Sequence, residues 1–166
     1  MRLRPVLSDN DIQRVVELAA ICWHSHYTAI IGGEQVRYML ERFQSREAIN
    51  QQIAGGRDYR LIEDDEGQSH GYLAWDLHPD HLFLSKLYIL PTSQRRGLAR
   101  QALELLQGEQ PGREIRLTVN KHNAKAIAFY QAMDFRNCGA LVTDIGNGFV
   151  MDDWEMRRPP EGGVRR

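Results

Sequence analysis

One segment of the sequence constrains the fold more than any other, because an apolar run, an arginine-rich loop and a helical pattern follow one another there. The apolar run covers residues 81–90 and stops at Pro91, which favours a strand inside a sheet. Beyond the loop, apolar residues recur at helical spacing until Gly108, and residues 115–119 then alternate as a strand. The sequence therefore predicts a βαβ unit. The apolar stripe of its helix is formed by Leu98, Ala102, Leu105 and Leu106.

The loop of this unit, residues 94–99, has the chemistry of an anion site. It lies where a strand gives way to a helix, so free backbone N–H groups and the positive end of the helix dipole converge there. Gly97 lets the backbone approach a bulky phosphate, and Ala99 is the next smallest choice at its position. These features favour a pyrophosphate site, and a polar turn that only caps the helix is the alternative. Mobile positive charge comes from Arg95, Arg96 and Arg100.

Other phosphate-binding motifs are missing from the sequence. No GxxxxGK[ST] occurs anywhere, and no GxGxxG follows a strand. This argues against nucleoside triphosphates and dinucleotides as ligands.

Three helical patterns precede the predicted sheet. Ser8 caps the first together with Asp11, the second follows Gly32, and the third begins near Ser45 and stops at Gly55. The apolar stripe of the first helix contains Ile12, Val15, Val16, Ala19 and Trp23.

Strand-like runs follow these helices and are separated by turn signals. Runs at 59–63, 70–77 and 82–90 predict a meander of antiparallel strands. A further helix is predicted over 123–133, and Asn147-Gly148 between two alternating runs is typical of a two-residue hairpin turn.

Composition narrows the class of protein. The 166 residues suit one domain, which we place at 1–157 with a flexible tail at 158–166, and a net charge of −1 argues against nucleic acid as a partner. No apolar run approaches the roughly 20 residues that span a bilayer, and the N-terminus has no signal-peptide core, so we expect a cytoplasmic protein without a membrane partner. We expect Cys22 and Cys138 to be buried thiols, and we expect no metal.

Two motifs resemble those of the GNAT acetyltransferase superfamily. The first is a strand followed by [QR]xxGx[GA] and a helix, matched by residues 87–91 and 94–99. The second is an Asn that opens a helix, a Tyr seven residues later and a closing Gly-Phe, matched by Asn123, Tyr130 and Phe135, with Ala126 inside it. The chain departs from the family pattern in that Ala99 replaces the commoner second glycine and Asp134 replaces the glycine before Phe135.

The resemblance implies a mixed α+β fold, in which helices flank a central, mostly antiparallel twisted sheet of six to seven strands. It also implies acetyl-coenzyme A as co-substrate and transfer of its acetyl group to an amine. The residues implied to bind the coenzyme are Leu87, Tyr88, Ile89, Gln94, Arg95, Arg96, Gly97, Leu98, Ala99, Arg100, Asn123, Ala126 and Tyr130. Tyr130 is the implied catalytic acid, which protonates the departing thiolate, while Asn123 steadies the pantetheine or acetyl end.

The acceptor amine is less well defined by the sequence. The resemblance to small bacterial members implies acceptor walls around Trp23, His26 and Tyr27 and along the terminal hairpin, where Asp152 suits a polyamine or another cation. Solvated edge charges are the alternative for such acidic residues. His26 and Asp76 are candidates for the base that removes the proton from the amine, and the sequence does not choose between them. The backbone N–H groups of residues 87–89 are expected to polarise the thioester carbonyl.

Three hypotheses therefore stay open at this point. The first is an N-acetyltransferase that acts on a small-molecule or peptide amine. The second is a non-catalytic acyl-coenzyme A sensor, and the third is an enzyme that uses another acyl donor. A homodimer is compatible with each of them.

Overall fold

The computed structural model describes residues 1–160, which form seven strands and five α-helices. In chain order these are β1 (Arg2–Pro5), α1 (Asp9–Ile31), α2 (Gly33–Phe43), α3 (Arg46–Ala54), β2 (Asp58–Glu63), β3 (Ser69–Leu77), β4 (His81–Ile89), α4 (Leu98–Glu109), β5 (Glu114–Asn120), α5 (Ala124–Ala132), β6 (Arg136–Gly146) and β7 (Phe149–Arg158). A short 3-10 turn, Pro91–Ser93, separates β4 from the loop before α4. The predicted mixed α+β class is confirmed.

The strands hydrogen-bond in the order β1-β2-β3-β4-β5-β7-β6. β4 and β5 are parallel, with His81 opposite Glu114, whereas β1–β2, β2–β3, β5–β7 and β6–β7 are antiparallel. Two parallel neighbours need a crossover connection, and α4 lies in that connection. The predicted βαβ unit and the mostly antiparallel sheet are therefore both present.

The described residues fall into two compact units. The first comprises residues 1–76 and 85–109, and the second comprises the described residues of 77–84 and 110–160. Leu18, Ile49 and Leu73 are fully buried in the core of the first unit, and Leu82, Leu117 and Met156 in that of the second. The single domain expected over 1–157 stays a prediction.

The N-terminal end of α1 forms as predicted. The Ser8 hydroxyl accepts a hydrogen bond from the Asp11 N–H at 3.1 Å, and the Asp11 carboxylate accepts one from the Ser8 N–H at 3.2 Å. These two bonds form a capping box that satisfies donors left free at a helix start. Of the predicted stripe, Ile12, Val15, Ala19 and Trp23 are buried, while Val16 is only half-buried.

The hairpin between β6 and β7 also forms as predicted. Asn147 has a φ of +55° and Gly148 a φ of +78°, which are the left-handed conformations that a two-residue hairpin turn requires. Leu141 and Val142 on β6 are exposed, so this strand offers apolar surface for the homodimer that we keep as a prediction.

Several sequence predictions need correction. The chain before Ser8 contains a strand, β1, which pairs with β2, and this was not predicted. Leu105 is 40% exposed, and Leu103 takes its place in the core because the buried face of α4 is rotated by part of a turn. Cys138 is exposed on β6, whereas Cys22 is buried as expected, and burial raises the pKa of the Cys22 thiol to about 12. Of the predicted tail, Arg158 belongs to β7 and residues 161–166 lie outside the described part of the chain.

Candidate active site

An aromatic cluster in the first unit brings together three residues predicted to wall the acceptor. Trp23, His26 and Tyr27 project from one face of α1, since residues three and four apart are neighbours on a helix. The ring of Tyr88 on β4 lies 5.7 Å from that of Trp23, 5.9 Å from that of His26 and 6.1 Å from that of Tyr27. We call these four residues the aromatic cluster. The three residues predicted to bind the acceptor therefore lie against Tyr88, which is predicted to bind the coenzyme.

Hydroxyl groups fix the orientation of this cluster. The Tyr27 and Tyr88 hydroxyls are hydrogen-bonded at 2.9 Å. The Trp23 indole N–H donates to the Tyr72 hydroxyl at 3.1 Å, and that hydroxyl donates to the Gln44 amide oxygen at 2.6 Å. Burial raises the pKa of Tyr72 well above its ordinary value, so this hydroxyl stays protonated and acts as a structural donor.

Gln94 connects the phosphate-loop segment to α1. Its amide nitrogen lies 3.2 Å from Nε2 of His26 and 3.4 Å from the Ile89 carbonyl oxygen, to which it donates. Nε2 of His26 is thereby engaged by Gln94, which leaves that nitrogen less available to act as a base. The sequence predicted both residues, but it assigned Gln94 to the coenzyme and His26 to the acceptor.

The predicted phosphate loop has the backbone of an anion site. Gly97 has a φ of +72° and Arg95 a φ of +65°, and α4 begins at Leu98. The first N–H groups of a helix have no partner within it, so the amides of this turn point away from α4 with the dipole behind them. A Cβ at Gly97 would meet no heavy atom within 4 Å, which leaves open space in front of the turn.

The side chains of the loop divide between solvent and core. Arg95, Arg96 and Arg100 are exposed, so their charges are accessible to an anion. Leu98 is buried and Ala99 half-buried, so these two residues can contribute their backbone N–H groups rather than their side chains.

Asp64, His70 and Ser93 form a hydrogen-bonded chain next to the start of this loop, and the sequence analysis missed it. We call these three residues the relay. His70 on β3 lies 2.8 Å from the Ser93 hydroxyl through Nδ1 and 2.7 Å from the Asp64 carboxylate through Nε2. Its carbonyl oxygen accepts a bond from the Leu90 N–H at 2.8 Å. Ser93 is 4% exposed and cannot meet a substrate directly, so we assign the relay to positioning. The hydrogen bond from His70 also lowers the pKa of Asp64.

The backbone of β4 is irregular at the residues predicted to polarise the carbonyl. A Cβ built on Gly71 would lie 2.1 Å from the Tyr88 carbonyl oxygen and 3.1 Å from the Ile89 Cα. Ordinary neighbouring strands do not bring a carbonyl this close to a Cβ position, so β4 departs from a regular ladder here. The exposed N–H groups predicted for Leu87, Tyr88 and Ile89 require such a departure.

Lys86 is a second residue that the sequence analysis missed. It lies two residues before Tyr88 on β4, with its ammonium group 5.9 Å from the Trp23 ring and 2.9 Å from the Ser85 hydroxyl. Burial, together with the nearby positive charge of Arg57, lowers the pKa of Lys86 to about 8. The signal available in the sequence was a single lysine inside a largely apolar strand.

Asp76 is engaged by a neighbouring cation. The Arg57 guanidinium donates to its two carboxylate oxygens at 3.0 and 2.9 Å, in a bidentate pair. Both carboxylate oxygens of Asp76 are therefore occupied by Arg57, which argues against Asp76 as the base for the amine.

The predicted helix-opening motif lies in the second unit. The Asn123 side chain accepts a hydrogen bond from the Ala126 N–H at 3.2 Å and so caps α5. Tyr130 packs edge-to-face between Phe129 and Phe135, at ring distances of 5.2 and 5.3 Å. Asp134 adopts a φ of +69°, the left-handed backbone for which the family pattern uses glycine.

Two adjacent carboxylates on β7 behave differently. Asp152 forms an ion pair with Lys121 at 2.8 Å. Asp153 is 4% exposed, and burial raises its pKa to about 6, with a further contribution from the charge of Asp152.

Neither a membrane-spanning helix nor a metal centre occurs among residues 1–160. No helix there is long and apolar enough to cross a bilayer. No group of three or more His, Cys, Asp or Glu side chains in that part of the chain is arranged to hold a metal ion.

The strand β4, the glycine turn at Gly97 and the helix α4 behind it form the strand–turn–helix arrangement of the predicted motif. The family model described as the acetyltransferase (GNAT) domain matches residues 27–156. The chain therefore belongs to the GNAT acetyltransferase family.

Relatives support this membership. A probable N-acetyltransferase of Mycobacterium tuberculosis is 26% identical over 141 residues, which cover 80% of this chain and 79% of the relative. An acetyltransferase from Thermus thermophilus with a known crystal structure is 28% identical in sequence to this chain. The two structures match with a TM-score of 0.68 over 95% of this chain and 96% of the other. The PaiA N-acetyltransferase of Thermoplasma acidophilum, solved in complex with coenzyme A, shares the fold at a TM-score of 0.75, with 18% identity and coverage of 96% and 99%.

Proposed function

We propose that the protein is an acetyl-coenzyme A-dependent N-acetyltransferase that acetylates the primary amine of a small molecule or peptide. The observation that carries this proposal is the turn at Gly97, where left-handed backbone, first-turn amides and open space coincide. Such a turn at a helix N-terminus is suited to a diphosphate, and coenzyme A contains one. The coenzyme-bound PaiA neighbour, with which this chain shares a fold, supports the same donor.

The family pattern assigns particular residues of this chain to each part of the coenzyme. The amides of Gly97, Leu98 and Ala99 would hold the diphosphate, and Arg95, Arg96 and Arg100 would supply exposed positive charge to it. Asn123 and Tyr130 would meet the pantetheine and acetyl end. The coenzyme supplies the activated thioester carbonyl.

The proposed chemistry is a direct transfer in one bond exchange. Backbone N–H groups at Leu87, Tyr88 and Ile89 would donate hydrogen bonds to the thioester oxygen and so stabilise the negative charge that develops on it. The amine nitrogen forms a bond to the carbonyl carbon while the carbon–sulfur bond breaks, and the phenol of Tyr130 would give its proton to the leaving thiolate. The ammonium form of the amine would first lose one proton to solvent, because only the neutral amine can attack. The attacking nitrogen would then lose a second proton to water, and the Tyr130 phenolate would regain a proton from solvent.

A thiol-release assay tests this function. Purified protein is mixed with acetyl-coenzyme A and, in turn, with amino acids, polyamines, aminoglycosides and peptide N-termini, and the free thiol is followed with a chromogenic disulfide. We expect amine-dependent release with at least one acceptor class, and mass spectrometry is expected to show the acetylated amine. Tight binding of acetyl-coenzyme A without release in any arm would contradict catalysis and favour an acyl-coenzyme A sensor.

The same assay tests the choice of donor. Acetyl-, propionyl- and succinyl-coenzyme A are compared at equal concentration with the best acceptor. We expect the acetyl donor to give the highest kcat/KM, and preference for a longer acyl chain would contradict this part of the proposal.

A further inference from the structure

We propose that Lys86 binds a carboxylate of the acceptor, so that the substrate is an amine that also carries an acid group, such as an amino acid. This inference rests on the proposed function and narrows its acceptor class. It also replaces the polyamine that the acidic residues of the terminal hairpin suggested.

The first argument is position. Lys86 and Tyr88 on β4 both contact the Trp23 ring, so their side chains lie on the face of the strand that packs against α1. On that face, the Lys86 ammonium contacts the ring of Trp23, which belongs to the aromatic cluster. A charged group at the edge of an aromatic cluster is in reach of whatever ligand that cluster takes.

The second argument is the absence of a protein anion. Among residues 1–160, no carboxylate lies within 4 Å of the Lys86 ammonium, whose contacts are the Ser85 hydroxyl and carbonyl and the Trp23 ring. The nearby Asp76 is held by both arms of Arg57. Arg57, Lys86 and Asp76 together therefore leave one positive charge without a partner.

The third argument is energetic. An ammonium group that has lost part of its hydration is unfavourable unless an anion compensates it. The pKa of about 8 shows this cost, yet it still leaves Lys86 mostly protonated at pH 7. A carboxylate bound there would recover the lost interaction, and it would raise the pKa of Lys86 again.

The same charge disfavours polyamines. A second cation placed about 4 Å from the Lys86 ammonium would be repelled by about 1 kcal/mol in water, and more strongly in a site with less water. A polyamine would have to place its additional charges close to Lys86 and Arg57. The aromatic cluster contributes no carboxylate to offset them.

The experiment uses matched acceptor pairs. Phenylalanine is compared with phenethylamine and methionine with 3-methylthiopropylamine, and spermidine is added as a polycation. For the wild type, we expect kcat/KM to be at least about 20-fold higher for the carboxylated member of the preferred pair, a ratio typical of a charged hydrogen bond.

Variants show whether Lys86 causes this preference. In Lys86→Met we expect the ratio to fall below about threefold, chiefly through KM, whereas Lys86→Arg retains most of it because the charge remains. Arg37→Met, which removes an exposed cation from α2, is the matched control and should keep the wild-type ratio. The inference is overturned if the wild type prefers the amine without the carboxylate or spermidine, or if Lys86→Met keeps the ratio. It is equally overturned if Lys86→Met lowers kcat alike for both members of a pair, which would instead indicate a proton-transfer role.

A binding measurement separates this inference from the proposed function. Each acceptor is titrated calorimetrically into protein saturated with coenzyme A, with wild type and Lys86→Met in parallel. Carboxylate-dependent binding that is lost in Lys86→Met supports the inference even when no thiol is released, in which case only catalysis fails. If thiol is released from acceptors whose binding does not depend on Lys86, the function is supported and the inference is overturned. A lack of binding by every carboxylated amine also overturns the inference.

Discussion

The carbonyl oxygen of Tyr88 lies so close to Gly71 that a Cβ at position 71 would come within 2.1 Å of it. This approach joins β3 to the irregular part of β4. Because the neighbouring atom is backbone, it cannot move aside as the end of a flexible side chain can. Gly71 is therefore required by the shape of β4.

Substitution of Gly71 by alanine should disturb both stability and activity. Forcing a methyl group against backbone of this kind typically costs about 1–3 kcal/mol, so we expect the free energy of unfolding in urea to fall by about that amount. Acetyl transfer should fall as well, because residues 87–89 must shift. Gly108→Ala is the control, since its Cβ meets no heavy atom within 4 Å and helical alanine stabilises by about 0.5–1 kcal/mol. Equal effects of the two substitutions would refute the steric account.

Substitution of Gly97 by alanine should weaken coenzyme binding. The added methyl would occupy the space in front of the turn, and the φ of +72° adds backbone strain of about 1 kcal/mol. We expect the Kd of acetyl-coenzyme A, measured by calorimetry, to rise about tenfold or more. Gly112→Ala has the same strain, with a φ of +76° and open space, but it lies outside the loop. It should lower stability similarly and leave the Kd unchanged; a shared loss of affinity would remove the loop from binding.

Substitution of Tyr130 by phenylalanine should slow the chemical step. Loss of a general acid commonly lowers turnover by about 100-fold or more, whereas the ring contacts with Phe129 and Phe135 stay in place. We expect kcat to fall to that extent, with the Kd of acetyl-coenzyme A within about threefold of the wild type. Tyr38→Phe on α2 is the control for loss of a hydroxyl. Unchanged kcat would exclude Tyr130 from the mechanism.

Substitution of His70 by alanine should act on the coenzyme through the loop. It removes the bonds to Ser93 and Asp64 and leaves a buried hydroxyl without its partner, which costs about 1–3 kcal/mol of stability. With the loop less well held, KM for acetyl-coenzyme A should rise about fivefold while kcat changes little. His24→Ala, at an exposed position on α1, is the control. A fall in kcat with constant KM would contradict a positioning role.

Asp153 should make stability depend on pH. Its folded pKa of about 6 lies above the ordinary value of 3.8, so the folded state binds more protons between pH 4 and 6. Its contribution to the free energy of unfolding therefore decreases as pH rises through this window, by up to about 2–3 kcal/mol. Asp153→Asn should be more stable than wild type at pH 8 and no more stable below pH 4, as urea unfolding can measure. Asp144→Asn, at an exposed position, should show no such crossover; equal curves for wild type and Asp153→Asn would contradict the burial effect.

Most of the correct sequence predictions came from local patterns. The capping box of α1, the Asn147-Gly148 turn and the loop at Gly97 each depend on residues a few positions apart, so the sequence shows them directly. The left-handed backbone at Asp134 follows from the same kind of local preference.

Features that depend on distant contacts could not be predicted in this way. β1 pairs with β2, and its Arg2 and Arg4 form ion pairs with the buried Glu63, about sixty positions along the chain. The relay of Asp64, His70 and Ser93 likewise joins two turns through a strand. From the sequence alone, polar residues of this kind cannot be told from solvent-exposed ones, because their partners are distant along the chain. Lys86 was missed for the same reason.

The most direct test of the central claim is a crystal structure of the protein with coenzyme A. We predict that the diphosphate lies against the main-chain N–H groups of residues 97–99, at the start of α4, with the thiol end directed toward residues 87–89. A coenzyme bound elsewhere, or a turn at Gly97 that folds inward while the ligand is present, would contradict the account.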